Sequence, residues 1–330
     1  MARFAVVGAT SWGLTLAWLL RSSGHSVLIV TRNPDEADSL NSRHGLERLP
    51  ELRLPDDIAA VTAPVGTELD GAVIAIPAQS VRATIASAGL SRETPLLSAA
   101  KGIELASGEL MTDVLGELGW EPARVSALSG PNLAHEIVRG LPAAAVIASA
   151  SRQEAERWQA ALSRPTFRTY TSDDVAGVQL AGAYKNVIAI AAGACWGLQF
   201  GANAVSTVMT RGLAEMTRLG LAMGADQATF LGLAGVGDLA TTCFSPLSRN
   251  RRFGELLASG RSADAARAEI GEAVEGAATA EVALQLASRL GVDVPICEQV
   301  AAVVAGAKTV PEAMAGLLSR PLKSEASWPG

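Results

Sequence analysis

Lys185 is the residue of this 330-residue chain whose surroundings point most directly to chemistry. It is the only charged residue between Val175 and Thr210. An ammonium is costly to bury among apolar side chains unless a partner pairs with it or it loses its proton. Such burial would lower the pKa of the lysine and make it a usable general acid or base near neutral pH. The alternative interpretation is a helical lysine that extends its ammonium to water.

Two polar segments downstream of Lys185 offer partners for an ammonium and for a phosphate. Asp238 follows Gly-Val-Gly, a setting in which aspartate is typical of a turn. Ser248, Arg249 and Asn250 begin the run SRNRR, whose serine predicts a helix cap. A charged run of this kind is usually a solvated helix start, yet the same side chains have the donors that grip a phosphate. Both interpretations of each segment stay open on the sequence alone.

The first thirty residues predict the beginning of a nucleotide-binding fold. Residues 4–8 (FAVVG) predict a short buried strand, GATSWG and an apolar helical pattern follow, and residues 26–30 (SVLIV) predict the next strand. Strand, glycine turn, helix and strand in this order are typical of a Rossmann fold. The N-terminus of such a helix presents N–H groups and a positive dipole end to phosphates.

The glycine fingerprint of that fold is incomplete in this chain. Gly8, Thr10 and Gly13 stand where the pattern G-x-G-x-x-G has its three glycines. The Cβ of Thr10 either moves the phosphates of a dinucleotide outward, or the hydroxyls of Thr10 and Ser11 hydrogen-bond them. We expect Gly8, Thr10 and Gly13 to contact the cofactor in either case.

The end of the second strand bears on the choice of cofactor. NAD-binding proteins usually place an acid here, for the ribose 2′-hydroxyl. This chain has Arg32, followed by Asn33 as a predicted helix cap and by Asp35 and Glu36, which we expect to stabilise the helix start. Arg32 can pair with a 2′-phosphate, so the sequence predicts NADPH as the preferred cofactor over NADH. The alternative is that Arg32 is a solvated loop charge.

The remaining elements predict an α/β fold with an N-terminal Rossmann-type, doubly wound parallel sheet followed by an all-α C-terminal domain. Further strands are predicted at 71–77, 95–102, 125–130 and 143–149, with helices near 79–89 and 107–118. Strand signals end after residue 174, so we predict domains at 1–174 and 175–330. The second is predicted to hold a long buried helix from residue 175, helices at 205–223 and 248–260, and three short helices between 262 and 318. Glu215 and Arg218 are expected to pair at the i,i+3 spacing.

The composition excludes several classes of protein. Charged residues make up 18% of the chain and hydrophobic residues 49%, which argues against disorder. A net charge of −6 argues against non-specific nucleic-acid binding. The three cysteines lack metal-ligand spacing, which favours a reduced, cytoplasmic compartment and no metal. Residues 186–210 are uncharged but predict two core helices joined by a glycine-rich turn rather than a membrane span. The apolar content is compatible with a homodimer.

The motifs taken together resemble one enzyme family. GATSWG, AAKG, SGPN, YKNVIAIAAG, TRGLAEM, GVGDL, SRNRRFG and AVEG occur in this order. Over about residues 3–325 the chain resembles the bacterial-type NAD(P)-dependent glycerol-3-phosphate dehydrogenases. That resemblance implies interconversion of dihydroxyacetone phosphate and sn-glycerol 3-phosphate for phospholipid synthesis, with NADPH or NADH as cofactor.

The resemblance also implies roles for individual residues. Lys185 is expected to be the proton donor and acceptor. The other substrate contacts it implies are Lys101, Gly130, Asn132, Asp238, Ser248, Arg249 and Asn250. The cofactor contacts it implies are Ser11, Trp12, Arg32, Lys101, Ala134, Arg249 and Glu275. Two positions depart from the family: Thr10 replaces the middle glycine, and Asn132 stands where Ser or Thr is usual.

Two rival functions remain open on the sequence. Ketopantoate reductases and 6-phosphogluconate dehydrogenases also join a Rossmann domain to a helical domain, but SRNRR after GVGD argues for a small phosphorylated substrate. Thr10 is compatible with a non-catalytic NADPH-binding sensor. The presence of Lys185, Lys101, Asp238 and Arg249 argues against the sensor.

Overall fold

The computed structural model describes residues 1–63, 65, 68–322 and 324. The chain divides into two compact units. Met1–Lys101 and Leu110–Val175 form the first unit, and Gly102–Glu109 joins the chain from Ala176 onward in the second. The domain ranges 1–174 and 175–330 remain a prediction.

The first unit is built on a single sheet. In chain order its strands are β1 (Arg3–Val7), β2 (Ser26–Thr31), β3 (Ala59–Thr62), β4 (Gly71–Ile74), β5 (Leu96–Ser98), β6 (Val125–Ser129), β7 (Ala143–Ser149) and β8 (Phe167–Ser172). Within the described residues these eight strands lie in the order β3-β2-β1-β4-β5-β6-β7-β8. The Rossmann-type α/β fold is confirmed, and β3 and β8 are the strands that the sequence pattern did not predict.

Helices cover both faces of this sheet. They are α1 (Ser11–Ser22), α2 (Pro34–Arg43), α3 (Val81–Ser87), α4 (Met111–Glu117), α5 (Ala134–Val138) and α6 (Arg152–Leu162). Side chains of β1 alternate between two separate apolar clusters, with Phe4 and Val6 in one and Ala5 and Val7 in the other. Because successive side chains of a strand point to opposite faces, the sheet is buried on both sides, as a doubly wound fold requires.

The sheet is mostly parallel, as predicted, and its described strands include one antiparallel pair that the sequence did not predict. Strands β1 to β6 pair in parallel, whereas β7 runs antiparallel to β6, with Ser126 opposite Ser149. The last strand, β8, is parallel to β7. A parallel neighbour needs a crossover that returns to the other end of the sheet. The β6–β7 connection over residues 130–142 contains only the five-residue α5.

The second unit is helical, as predicted. Its helices are α7 (Val175–Gly197), α8 (Gly201–Ala222), α9 (Gln227–Leu231), α10 (Asp238–Phe244), α11 (Arg249–Ala258), α12 (Ala263–Ile270), α13 (Glu275–Leu290), α14 (Pro295–Val304) and α15 (Val310–Leu318). Four helices, rather than the predicted three, lie between residues 262 and 318 of the described chain. Gly271 (φ 71°) and Gly291 (φ 68°) end α12 and α13 in the left-handed conformation that glycine adopts without strain.

α7 is the helix on which Lys185 lies. It is long and apolar enough to cross a membrane by length and composition, but 83% of its apolar window is buried inside the protein. It ends at Gly197, and α8 begins at Gly201, so the predicted pair of helices with a glycine-rich turn is confirmed. α7 is a core helix of this fold.

α7 and α11 are in close backbone contact. A Cβ added at Gly193 would lie 1.9 Å from the Arg251 carbonyl oxygen, and one added at Gly254 would lie 2.0 Å from the Ile190 carbonyl oxygen. The two backbones therefore touch where both helices carry glycine. This contact holds the first turn of α11 at a set position relative to α7.

We predict that Gly254→Ala lowers the free energy of unfolding by about 2–3 kcal/mol, because the added methyl group overpacks a backbone contact. Gly316→Ala in α15 is the control, since its nearest neighbour is the flexible Gln299 side chain at 3.3 Å. The control should change the free energy of unfolding by no more than about 1 kcal/mol. Urea denaturation followed by helical circular dichroism measures both, and equal losses would contradict the contact.

Candidate active site

Lys185 is buried and paired. Its residue is 6% exposed, and its Nζ donates to Asp238 Oδ1 at 2.5 Å and to Thr242 Oγ1 at 2.7 Å. The alternative of an ammonium extended to water is therefore wrong. Asp238 and Thr242 stand four residues apart, one turn of α10, so both face the same ammonium. Asp238 is among the residues predicted from the sequence; Thr242 is not, although its i,i+4 spacing from Asp238 was the available signal.

Asp238 reaches this position from a helix, not from the turn that its Gly-Val-Gly context suggests. It is the first residue of α10 and follows a π-helical turn over Leu233–Gly237. Gly235 in that turn has non-helical dihedrals (φ −89°, ψ −105°). A Cβ on Gly235 would lie 2.1 Å from the Phe230 carbonyl oxygen. Only glycine permits this approach, which redirects the chain and begins α10 at Asp238.

A second buried carboxylate lies next to α7. Glu215 on α8 is 1% exposed, and its carboxylate accepts hydrogen bonds from Tyr184 Oη at 2.6 Å, Ile296 N at 2.9 Å and Cys297 N at 2.8 Å. Tyr184 is the neighbour of Lys185 on α7, and the two N–H groups belong to the first turn of α14. Glu215 thus ties three helices together beside the lysine, and it bonds N–H groups that a helix start leaves unpaired.

The ion pair predicted between Glu215 and Arg218 does not form. The Glu215 oxygens accept from Tyr184 and from the start of α14, while Arg218 Nη2 donates to the Asp293 carbonyl oxygen at 2.9 Å. The i,i+3 rule applies to pairs on an exposed helix surface, whereas Glu215 points into the core.

Burial controls the ionisation of the groups around the lysine. It raises the pKa of the Glu215 carboxyl, although the hydrogen bonds from Tyr184 and from the backbone oppose the shift. It also raises the pKa of the Cys243 thiol to about 12, an effect that the nearby Lys185 opposes. Among the described residues, all three cysteines are free and buried, and a thiol of such high pKa does not act as a nucleophile near neutral pH.

The run SRNRR begins α11. Ser248 is its N-cap, as predicted, and Ser248 Oγ accepts from Arg251 N at 3.2 Å. Arg249 Nη1 donates to Glu272 Oε2 at 2.8 Å, with both side chains about half exposed. The cap faces the N-terminus of the helix, where an anion is favoured, and Arg249 is the cation beside it.

The Asn250 side chain links α11 to two neighbouring helices by hydrogen bonds. Its Nδ2 donates to Asn186 Oδ1 at 2.9 Å, and its Oδ1 accepts from Gly276 N at 3.0 Å. A Cβ on Gly276 would lie 2.5 Å from the Asn186 carbonyl oxygen, so glycine is required for this approach. The contact links α7, α11 and the first turn of α13, where the partly buried Glu275 lies. Sequence reasoning missed Asn186, although it follows Lys185 directly.

In the first unit, Lys101 and Gly130 meet beyond the carboxyl ends of neighbouring strands. Lys101 follows β5, Gly130 follows β6, and Lys101 Nζ donates to the Gly130 carbonyl oxygen at 2.8 Å. Gly130 has φ 137°, and a Cβ there would lie 2.9 Å from Ala145 Cα. Ligands of open α/β sheets bind at this edge, so the two residues lie where a ligand is expected.

Asn132 and Trp12 are among the side chains of the first unit that have buried polar atoms without a partner in the described residues. Both amide atoms of Asn132 and Nε1 of Trp12 are buried and unbonded. Buried polar groups in native structures are nearly always hydrogen-bonded. Unsatisfied atoms next to Gly130 and in the first turn of α1 are therefore what a polar ligand would complete.

The glycine fingerprint is a structural cap as well as a cofactor candidate. Gly8 has φ 117°, and a Cβ on Gly13 would lie 2.0 Å from the Gly8 carbonyl oxygen. Thr10 is the N-cap of α1: its Oγ1 accepts from Gly13 N at 3.0 Å and donates to the Ala75 carbonyl oxygen at 2.8 Å. The Thr10 hydroxyl is engaged on both sides, which argues against the phosphate hydrogen bond expected from it. The turn remains a close strand-to-helix connection with the positive end of α1 exposed to an anion.

The other cofactor candidates of the first unit lie around this turn. Ser11 begins α1, and its Oγ donates to the Arg48 carbonyl oxygen at 3.1 Å. Arg32 is exposed directly after β2. Ala134 begins α5 and packs against the same apolar cluster as Trp12. Asn33 caps α2 as predicted, with Oδ1 accepting from Asp35 N.

Comparisons with known proteins agree with this geometry. The N-terminal model of NAD-dependent glycerol-3-phosphate dehydrogenase matches residues 3–155, and the C-terminal model matches residues 174–315. A curated glycerol-3-phosphate dehydrogenase, NAD(P)+, from Corynebacterium diphtheriae is 44% identical over 98% of this chain and 100% of its own length. One from Streptomyces griseus is 44% identical over 97% of both chains.

Solved structures extend the comparison. A glycerol-3-phosphate dehydrogenase from Coxiella burnetii has a TM-score of 0.92 at 33% identity and covers 97% of this chain and 99% of its own. A ketopantoate reductase from Ralstonia eutropha has a TM-score of 0.61 at 19% identity, over 94% of this chain and 99% of its own. The second likeness shows a shared fold alone.

The raised pKa of Glu215 predicts a pH-dependent stability. Its carboxyl stays protonated to higher pH in the folded chain than in the unfolded chain, whose ordinary value is 4.5. This contribution to the free energy of unfolding is fully present below that value and is lost as pH rises through the folded-state pKa. The wild type should therefore lose stability relative to Glu215→Gln as pH rises from about 4 to 8, measured by urea denaturation. Glu298→Gln, at an exposed position on α14, is the control. The assignment would be contradicted if the difference in the free energy of unfolding between wild type and Glu215→Gln did not change with pH.

Proposed function

Because the chain belongs to the NAD-dependent glycerol-3-phosphate dehydrogenase family, we propose that it interconverts dihydroxyacetone phosphate and sn-glycerol 3-phosphate, with NADPH or NADH as cofactor. The product would feed phospholipid synthesis. The observation that carries the proposal is the buried ammonium of Lys185, held by Asp238 and Thr242.

Lys185 is the proposed proton donor. The bound nicotinamide would supply hydride to C2 of the ketone, and that chemistry belongs to the cofactor. The oxygen at C2 then gains negative charge and needs a proton, which the Lys185 ammonium gives as general acid. In the reverse direction the neutral amine takes the proton from the alcohol. Asp238 and Thr242 orient Nζ throughout, because each holds it at hydrogen-bond distance.

Arg249, with Ser248 and Asn250, is the proposed grip on the substrate phosphate. A chain with a net charge of −6 needs a local cation for an anionic substrate. The Arg249–Glu272 pair is about half exposed on both sides, and exposed pairs of this kind contribute little stability. Arg249 can therefore exchange Glu272 for a phosphate at low cost. Binding energy at the phosphate would align the carbonyl with the lysine.

Lys101, Gly130 and Asn132 are the proposed substrate contacts of the first unit. The Asn132 amide has a donor and an acceptor that are buried without partners, which fits a substrate with hydroxyl and carbonyl oxygens. Lys101 adds positive charge beside the Gly130 carbonyl. The amide of Asn132 can serve where the family usually has a hydroxyl.

The residues around the first turn of α1 fit a dinucleotide. Gly8, Thr10 and Gly13 form the turn, and the helix start beyond them suits a pyrophosphate. Further cofactor contacts are proposed at Ser11, Trp12, Arg32, Lys101, Ala134, Arg249 and Glu275. The unbonded Trp12 Nε1 supports a polar ligand at this turn. The exposed Arg32 supports a preference for NADPH.

The rival functions have less support. The hypothesis of a non-catalytic NADPH-binding sensor was based on Thr10. The Thr10 hydroxyl caps α1, so its presence is explained by the structure of the turn. The ketopantoate reductase likeness reaches the fold alone. We propose a cytoplasmic location, supported by three cysteines that are free and buried. A homodimer is proposed on the exposed apolar side chains of the second unit, among them Phe200, Leu231 and Leu247.

We predict that the wild type oxidises NADPH when dihydroxyacetone phosphate is added and that Lys185→Ala lowers kcat by about 100-fold or more, the effect of losing a general acid. The absorbance of reduced nicotinamide follows the reaction. Fluorescence titration should show that Lys185→Ala still binds NADPH, because the cofactor contacts are unchanged. A variant with wild-type kcat would remove Lys185 from the mechanism.

We predict that Arg249→Ala raises the KM for dihydroxyacetone phosphate by about 10- to 100-fold, the range for a lost charged hydrogen bond. Arg252→Ala is the matched control, because Arg252 lies on the same helix, is similarly exposed and pairs with Glu269. The control should leave this KM within about twofold. Equal effects from the two variants would move the phosphate site elsewhere.

A further inference from the structure

Glu36 is held over the end of β2 by two contacts that its position in α2 does not require. Its Oε2 accepts from Thr31 Oγ1 at 2.8 Å, and Thr31 is the last residue of β2. Its Oε1 pairs with the guanidinium of Arg48. Glu36 lies in the first turn of α2, as expected, and its carboxylate also turns back to the strand. In Rossmann folds the acid that bonds the ribose 2′-hydroxyl lies near the end of the second strand, some twenty residues past the glycine turn, and the hydrogen bond to Thr31 brings the Glu36 carboxylate to that strand end.

Arg48 connects this acid to the glycine turn. Its backbone carbonyl accepts from Ser11 Oγ at 3.1 Å, and Ser11 is the first residue of α1. The Arg48 side chain extends to Glu36 and keeps 38% of its surface exposed. Arg48 therefore lies between the phosphate-binding end of α1 and the end of β2. The adenosine ribose of a bound dinucleotide occupies that interval in this fold.

The charge on the pair decides which ribose is accepted. A carboxylate alone would accept a hydrogen bond from the 2′-hydroxyl of NADH and repel the 2′-phosphate of NADPH. Arg48 neutralises the carboxylate and presents the remaining guanidinium N–H groups to an anion.

We propose that the Glu36–Arg48 pair sets the cofactor selectivity of this chain, with Arg48 converting an acid of the NADH-binding type into a site for a ribose 2′-phosphate. The proposal deepens the proposed function and rests on its use of a nicotinamide dinucleotide. It makes Glu36 the residue that limits the preference for NADPH and Arg48 a second cation, beside Arg32, that supports this preference. Opposite effects of the two side chains follow.

The test uses ligands that need no turnover. Calorimetric titration of the full chain with adenosine 2′,5′-bisphosphate and with adenosine 5′-monophosphate gives two affinities. Their ratio, the affinity for the bisphosphate divided by that for the monophosphate, measures the preference for the 2′-phosphate. We expect Arg48→Ala to reduce that ratio of affinities about tenfold or more, because it removes a cation and leaves the carboxylate unpaired. Glu36→Gln should raise the ratio, because its amide keeps an acceptor for Thr31 and frees the Arg48 charge.

Matched controls separate charge from folding. Arg48→Lys, which keeps the cation but not the guanidinium fork, should reduce the ratio less than Arg48→Ala does. Arg21→Ala breaks the ion pair of Arg21 with Asp57, 2.7 Å at the other end of α1, and should leave the ratio unchanged. Steady-state kcat/KM values for NADPH and NADH should move with the ratios. An absence of turnover with intact ligand selectivity would count against the proposed function and not against this inference.

The inference is overturned if Arg48→Ala and Glu36→Gln change the affinities for both adenosine ligands by the same factor, since that is the effect of a merely structural pair. It is also overturned if the two variants move the ratio in the same direction. Opposite shifts, with the Arg21→Ala ratio unchanged, support it.

Discussion

The ion pair between Lys185 and Asp238 is the constraint on which the second unit depends. Both side chains are nearly fully buried. Removing such charges from water costs several kcal/mol per ion, which their mutual attraction only offsets. A buried ion pair therefore adds little to the stability of the fold, but the loss of either partner leaves an unpaired buried charge. Thr242 supplies a further oxygen for the ammonium, which reduces the cost. The Lys185–Asp238 pair is therefore better explained by the need to hold the ammonium proton at a fixed point than by a contribution to the stability of the fold.

The surrounding helices are shaped around that point. The π-helical turn before α10 lets Asp238 begin a helix aimed at Lys185, and Gly235 makes the turn possible. Glu215 binds the neighbouring side chain on α7 to the first turn of α14. Glycines bring α11, with its phosphate candidate Arg249, against α7. Rigid positioning of this kind turns substrate binding into alignment of the reacting atoms.

Local patterns predicted much of this, and long-range contacts account for the rest. Hydrophobic runs with glycine turns predicted β1, β2 and the doubly wound fold class, and Ser248 was visible as a cap because capping is a local hydrogen bond. The antiparallel pairing of β7 with β6 had no signal in the hydrophobic periodicity. Asp238 looked like a turn residue because π-helical geometry has no simple pattern. The partner of Glu36, Arg48, is set by the fold rather than by helix spacing, and so it escaped prediction.

Chemical rescue of Lys185→Ala distinguishes a lysine that donates a proton from one that only supports the fold. Lys185→Ala leaves Asp238 and Thr242 in place as an empty ammonium site, so small primary amines such as methylamine and ethylamine should bind there. The account predicts that these amines restore NADPH oxidation by dihydroxyacetone phosphate in a saturable way, with bulkier amines less effective. If no amine raises the rate of Lys185→Ala, the claim that Asp238 and Thr242 hold the proton donor is contradicted.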